Sequence, residues 1–231
     1  MPSLNISRRS LLAAGGTALF ASEMFGRPGL FADELLRATP RLTEGPFYPD
    51  RLPLDQDNDL ILISDSITPA VGTISHLTGR VLTTAGSPVR GATIEIWQCD
   101  ANQVYLHTRD SQPKKAQQDA HFQGYGKFET ASDGGYRFRT IKPVPYPGRP
   151  APHIHIKISQ NGREMLTTQL LIHGHEGNQR DGVFRKLEDA RHRELILGDF
   201  NELPASKIGE LACSFDVILG HTPEDPPLQQ R

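Results

Sequence analysis

Residues 136–160, reading YRFRTIKPVPYPGRPAPHIHIKISQ, restrict this chain to a strand-built fold more firmly than any other stretch. Side chains of an extended segment alternate between its two faces, so Ile154, Ile156 and Ile158 point one way while His153, His155 and Lys157 point the other. One face can then pack while the other presents two imidazoles to a common point. Imidazoles at i and i+2 on a rigid strand form a pre-oriented pair, and neutral imidazole is the commonest protein metal ligand. Taken alone, His-x-His also fits a half-exposed strand with histidines on its polar face.

The same two-residue period recurs along the chain. Strands are expected at 73–82, 92–99 (ATIEIWQC), 136–141, 153–159, 165–172 and 212–219, with turns at 83–88, at Asp133-Gly134-Gly135 and at Asn161-Gly162. Residues 183–193 are the one helix predicted beyond the N-terminal segment. The 21 glycines and 18 prolines, with 23% charged residues, supply many turns and argue against a helical bundle. These six short strands, with the apolar stretch 60–63 before them and turns between them, predict a β-sandwich, with no internal repeat and no boundary inside 43–231. Residues 79–96 are similar to the prealbumin-like sandwiches found in many non-catalytic modules, so they bear on fold rather than chemistry. Residues 100–130 are long and irregular, contain Tyr105, His107, His121 and Tyr125, and invite a functional reading.

A net charge of −2, with no basic stripe bearing interleaved aromatics, gives no case for nucleic acid, and no apolar run is long enough to span a bilayer. Residues 1–32 are different in kind. Ser7-Arg8-Arg9-Ser10-Leu11-Leu12, followed by an Ala/Gly-rich apolar run to Ala21, resembles a twin-arginine export signal. That predicts a periplasmic or extracellular protein, or a cytoplasmic one if the signal is not used. Cleavage after Ala21 or after Ala32 fits equally; the loss of 1–32 removes three arginines and one glutamate, taking the net charge from −2 to −4. Residues 33–42 read as a spacer. The two cysteines, Cys99 and Cys213, lie far apart inside apolar strand patterns and fit either a disulfide or two buried thiols; they make no redox or zinc motif.

Four segments carry a resemblance to a known family. TEGPFY at 43–48, IEIWQCDANQVYLH around Tyr105, DGGYRFRTIKPVPYP around Tyr146 and PHIHIKI around His153 and His155 resemble the intradiol ring-cleavage dioxygenases, in particular the iron-bearing, beta-type subunit of protocatechuate 3,4-dioxygenase. The four occur in family order over most of the chain beyond 43. The resemblance implies an all-β, prealbumin-like sandwich with long loops. It also implies a mononuclear non-haem Fe(3+) site with Tyr105, Tyr146, His153 and His155 as ligands. The implied reaction is O2-dependent cleavage of a catechol-type ring between its hydroxyl-bearing carbons to a cis,cis-muconate-type product, Tyr146 being the displaceable ligand and general base. The donor chemistry agrees: phenol has a pKa near ~10 and ligates well only beside a strong Lewis acid, and two anionic phenolates favour ferric over ferrous iron.

The resemblance further assigns Arg149 and Gln169 to the substrate side of the site, where a fixed guanidinium would stabilise charge developing on the ring. Three departures from the family pattern bear on the substrate pocket, one being a Tyr146-to-His153 connection shorter than in the well-known members. The family arginine stands three residues before the first histidine, whereas Arg149 stands four before His153, and Gly148 occupies a position where protocatechuate enzymes often have Trp. The seven residue steps from Tyr146 to His153 span up to about 23 Å, enough for both to reach one ion. Tyr48, Tyr125 and Tyr136 are expected to be packing aromatics, and His173-Gly174-His175 an exposed turn. The competing reading is a non-catalytic prealbumin-like binding module, which leaves the two-Tyr, two-His set unexplained. A cupin-type site would want a glutamate where Ser159 and Gln160 stand. The implied partners are a catechol-type small molecule and O2, with assembly as a homo-oligomer or with an iron-free subunit.

Overall fold

The computed structural model describes residues 35–64 and 67–220; the export-type segment 1–32 lies outside them. Two sheets face each other. In the first, β1 (Ile74–Thr83) is flanked on one edge by antiparallel β4 (Gly135–Ile141). Its other edge is shared by two parallel strands, β9 (Leu211–Ser214) and β10 (Val217–Leu219), and β8 (Asn201–Glu202) extends the sheet beyond β9. The second sheet has the order β3 (Tyr125–Glu129), β2 (Thr93–Trp97), β5 (His153–Gln160), β6 (Arg163–Ile172) and β7 (Leu197–Gly198).

The alternation in β5 sets the register of the second sheet. Ile154, Ile156 and Ile158 are fully buried against Leu77, Val81, Phe138 and Val217 of the facing sheet. Each such side chain contributes about 1.5–3 kcal/mol on burial, and a slip by one residue would put His153, His155 and Lys157 into that core. The register pairs Trp97 with His155 and His155 with Gln169, so these three share the sheet's outer face. That face is covered too, which explains why both imidazoles are only 2% exposed rather than half-exposed.

The single helix expected at 183–193 is two short ones, α2 (Gly182–Lys186) and α3 (Ala190–Glu194), and a further short helix, α1 (Thr108–Ser111), lies in the loop read as irregular. The break has a tertiary cause. Leu187 adopts an extended conformation and packs with Ala151, Leu171, Phe184 and Ile196, after which Asp189 caps a new helix through the Arg191 amide. The expected strand 212–219 is likewise split at 215–216, where the Phe215 amide donates to Thr78 and the Asp216 carboxylate accepts from the Arg80 amide. Residues 125–129, also read as irregular, form β3.

Residues 36–42, read as a spacer, are bonded to both sheets. The amides of Leu36, Thr39 and Leu42 donate to Thr84, Ile218 and Thr167, and the Thr168 hydroxyl donates to the Pro40 carbonyl. This strap leads into 43–48, which lies over the outer face of β5. Cys99 and Cys213 are both buried free thiols, and burial raises each to about 12. Among the described residues no helix is long and apolar enough to cross a membrane.

Candidate metal centre

Three loops meet over His153 and His155. The first, 98–124, brings in Tyr105 and is held in shape by buried carboxylates. Asp100 accepts from the Asn102, Val104 and Asp119 amides, and Asp110 accepts from the Tyr105 amide at 2.8 Å while pairing with Lys114 at 2.6 Å. The second, 143–152, carries Tyr146 on a closed turn: the amides of Tyr146 and Arg149 donate to each other's carbonyls across Pro147-Gly148. Gly148 has φ +89°, the conformation that a Pro-Gly type II turn demands of its third residue. The third is the strap. Phe47 stacks on Tyr105 at 5.1 Å between ring centres and meets Tyr146 edge-on at 6.4 Å.

The structure thus brings Tyr105, Tyr146, His153 and His155 together. Ring centres lie 5.3 Å apart for the two tyrosines, 5.6 Å for Tyr146 and His153, 4.8 Å for the two histidines and 6.0 Å for Tyr105 and His155. His153 Nδ1 lies 2.7 Å from the Ala151 carbonyl. A carbonyl only accepts, so that nitrogen carries the proton and Nε2 is left with a bare lone pair. Nε2 is buried with no hydrogen-bond partner among the described residues, as is His155 Nδ1, while His155 Nε2 lies 3.2 Å from the Tyr105 hydroxyl. Leaving such atoms unmatched costs about 1–3 kcal/mol each, so a cluster of this kind calls for a bound group.

The electrostatics fit a cation. Burial, reinforced by Arg149, pushes His153 down to about 3, and burial with His153 beside it lowers His155 well below the ordinary range, so both imidazoles are neutral and able to donate electron pairs. Burial, with Tyr146 beside it, raises Tyr105 far above an ordinary phenol; burial raises Tyr146 too, opposed by the Tyr105 hydroxyl and by Arg149. Both phenols therefore ionise only beside a strong Lewis acid, and the donor set suits a hard, highly charged metal ion. Among the described residues no group of three or more His, Cys, Asp and Glu side chains gathers to hold a metal.

The histidine shifts predict a pH dependence for the metal-free protein. Each folded-state pKa is depressed below the ordinary 6.5, so below that pH the unfolded chain binds protons that the native chain refuses. Stability is then expected to fall as pH drops from about 7 towards 5, above the range where carboxylates titrate, by up to ~1.4 kcal/mol per pH unit for each imidazole. Urea midpoints measured at stepped pH check this, and the slope should largely vanish when both histidines are replaced by glutamine.

Arg149 and Gln169 border the four donors. Arg149 Nη2 donates to Gln169 Oε1 at 2.7 Å, and Gln169 Nε2 donates to the Thr43 carbonyl at 2.8 Å. Several contributors escaped sequence reasoning. Trp97 lies flat on His155, with ring centres 4.7 Å apart and planes 7° apart. Glu95 accepts from the hydroxyls of Tyr48 and Tyr125, and Lys157 pairs with Glu44 at 2.5 Å while standing 3.9 Å over the Tyr48 ring, which pins the strap. The signal for Trp97 and Glu95 was their place in the IEIWQ alternation, opposite His155 and Lys157. Tyr136 is a packing aromatic whose hydroxyl donates to Phe215. His107 caps α1, and His173 and His175 lie on a turn, bonded to Asp199 and capping a 3-10 helix at Glu176–Arg180.

Fold and cluster together define a two-sheet β-sandwich that carries a mixed imidazole–phenol donor set on the outer face of one sheet. A family model described as Dioxygenase matches residues 43–220. The chain belongs to the intradiol dioxygenase family. It is 33% identical over 150 residues to the protocatechuate 3,4-dioxygenase beta chain of Burkholderia cepacia, a match covering 62% of this chain and 63% of that one. It is 30% identical over 164 residues to the hydroxyquinol 1,2-dioxygenase of Nocardioides simplex, covering 64% and 52%. The matches thus span about half to three fifths of these relatives' length. Among solved structures, the dioxygenase domain of a dioxygenase carbohydrate-binding protein fusion from Streptomyces sp. SirexAA-E superposes with a TM-score of 0.59 at 28% identity, covering 80% of this chain and all of that one.

Proposed function

We propose that this chain is an intradiol ring-cleaving dioxygenase acting on catechols with O2, its ferric iron held by Tyr105, Tyr146, His153 and His155. The observation that carries the reading is the buried pair of neutral imidazoles, bearing unpartnered nitrogens, packed against two phenols that only a strong Lewis acid would ionise. Bound ferric iron would supply the Lewis acidity that binds a catechol as its dianion and makes the ring reactive toward O2.

The chain's own residues do the rest. Tyr146 is the more exposed of the two phenols and sits on the turn, so its oxygen is placed to take a proton from an arriving catechol hydroxyl. Arg149 and Gln169 line the substrate side, where the guanidinium stabilises negative charge on the ring. Phe47 and Trp97 shut water away from Tyr105 and His155.

The visible spectrum of iron-loaded protein tests the assignment. A broad tyrosinate-to-iron charge-transfer band that moves to longer wavelength with anaerobic catechol is expected. Colourless protein containing stoichiometric iron would sink the tyrosine ligation, and protein that binds no iron after reconstitution would favour the binding module.

For substrate, the reading is an open site that accepts bulkier catechols of plant or lignin origin. A Cβ added to Gly148 would meet no atom within 4 Å, so the turn raises no wall where a Trp would stand. Oxygen uptake across protocatechuate, catechol, hydroxyquinol and caffeoyl catechols is expected to extend to the last group; uptake with protocatechuate alone would overturn this. Export by the twin-arginine route accords with residues 7–21, and replacing Arg8 and Arg9 by lysine should then retain the protein in the cytoplasm.

A further inference from the structure

Arg149 is held by two acceptors on different elements. Its Nε donates to Asp181 Oδ2 at 2.8 Å and its Nη2 to Gln169 Oε1 at 2.7 Å, while Nη1 has no partner among the described residues. Asp181 is 0% exposed, and both of its oxygens are engaged. Oδ1 accepts from the Val183 and Phe184 amides at 2.9 and 3.2 Å, capping α2, and Oδ2 faces the Ala151 amide at 3.5 Å besides taking Arg149. The backbone beside Arg149 is clamped as well: a Cβ on Gly177 would lie 1.9 Å from the Pro150 carbonyl oxygen, so the 3-10 helix packs directly on the chain at that point.

A buried ion pair is a poor way to gain stability, because desolvating two charges cancels much of their attraction. Burial by itself would raise the Asp181 carboxyl; the Arg149 bond and charge and the two amides overcome that and hold it below the usual carboxylate range. The pair therefore stays ionised. What it does supply is orientation. With two of its nitrogens fixed in one plane, a guanidinium can turn its remaining edge in one direction only, and a site tolerates errors of only about 0.5 Å or 10–20° in such a group.

We propose that Asp181 is a positioning residue of this site, fixing the Arg149 guanidinium so that its free edge faces the ring of a bound catechol. This rests on the dioxygenase reading above. It also accounts for the altered spacing: four residues before His153, Arg149 is drawn into place by an acceptor at the C-terminal end of the 3-10 helix rather than by its distance in sequence from the histidine.

Asp181→Asn tests it. The asparagine oxygen can still cap α2, while its amide sets a donor against Arg149 Nε. The expected result is an unchanged charge-transfer band, a clearly lowered melting temperature because the guanidinium loses its buried counter-charge, and a kcat lower by about 10–100-fold measured well below that melting temperature. In the double variant with Arg149→Gln, activity should be no lower than in Arg149→Gln alone. Metal-free protein gives a readout independent of turnover: the Arg149 Nε–H proton, assigned by its loss in Arg149→Gln, should be protected from exchange in the parent and unprotected in Asp181→Asn. Should the asparagine variant fold poorly, Asp181→Ser keeps a capping oxygen, lacks any partner for Arg149 and should show the same loss. Full kcat in either variant, or losses that multiply in the double variant, would overturn the proposal. A colourless and inactive parent protein would sink the dioxygenase reading itself, whereas a coloured, active parent beside a fully active Asp181→Asn would sink only the role of Asp181.

Discussion

Tyr105→Phe is expected to lower kcat by more than the ~10–100-fold typical of losing a residue that merely supports a metal ligand, and to bleach much of the charge-transfer band. The substitution separates chemistry from fold. Tyr105 is 1% exposed, its ring stacks on Phe47 and its position is set by the bond from its backbone amide to Asp110, all of which phenylalanine keeps. Only the hydroxyl is lost. Single-turnover kinetics, iron content and the absorption spectrum, measured on one preparation, check it. A variant that keeps both colour and turnover would remove Tyr105 from the ligand set.

The largest effect on stability is expected from Trp97→Ala. Trp97 is fully buried, and its indole nitrogen has no hydrogen-bond partner among the described residues, so what it contributes is packing. Truncation should cost about 3–5 kcal/mol, read as a lowered denaturant midpoint with little change in slope. It also removes the surface on which the His155 ring lies, so iron affinity should fall with stability. Trp97→Phe, which keeps a flat partner, should recover most of both. Loss of stability with unchanged iron affinity would mean that the indole packs the core without orienting the imidazole.

The sandwich was legible because the alternation in 136–141 and 153–159 leaves one consistent way to bury Ile154, Ile156 and Ile158. The pairing of His153 with His155 was legible from alternation on one strand, whereas Tyr105 and Tyr146 were singled out only by the resemblance of their segments to the family; the structure brings the four side chains together. Other features depend on contacts distant in sequence. Asp181 sits in the polar run 176–182, which reads as an exposed turn until Arg149 is seen to fold back 32 residues to meet it. The break between α2 and α3 depends on a pocket for Leu187 that local propensity does not reveal. Nor does the period of β2 disclose that Trp97 packs under a histidine, since alternation gives the face of a residue and not what covers it.

The strap also imposes an order of assembly. Thr39 is joined to Ile218 by two hydrogen bonds, so the bonding of the strap, held further along by Thr167, Thr168 and Gln169, is completed only by a strand 179 residues beyond Thr39. On a ribosome, the earliest part of the described chain must wait for nearly the latest. Closing a loop of that length costs entropy before its contacts reward it, and the strap it completes forms one side of the His155 and Tyr105 pocket. The order in which strap and sandwich close therefore bears on when an ion could reach the pocket from that side.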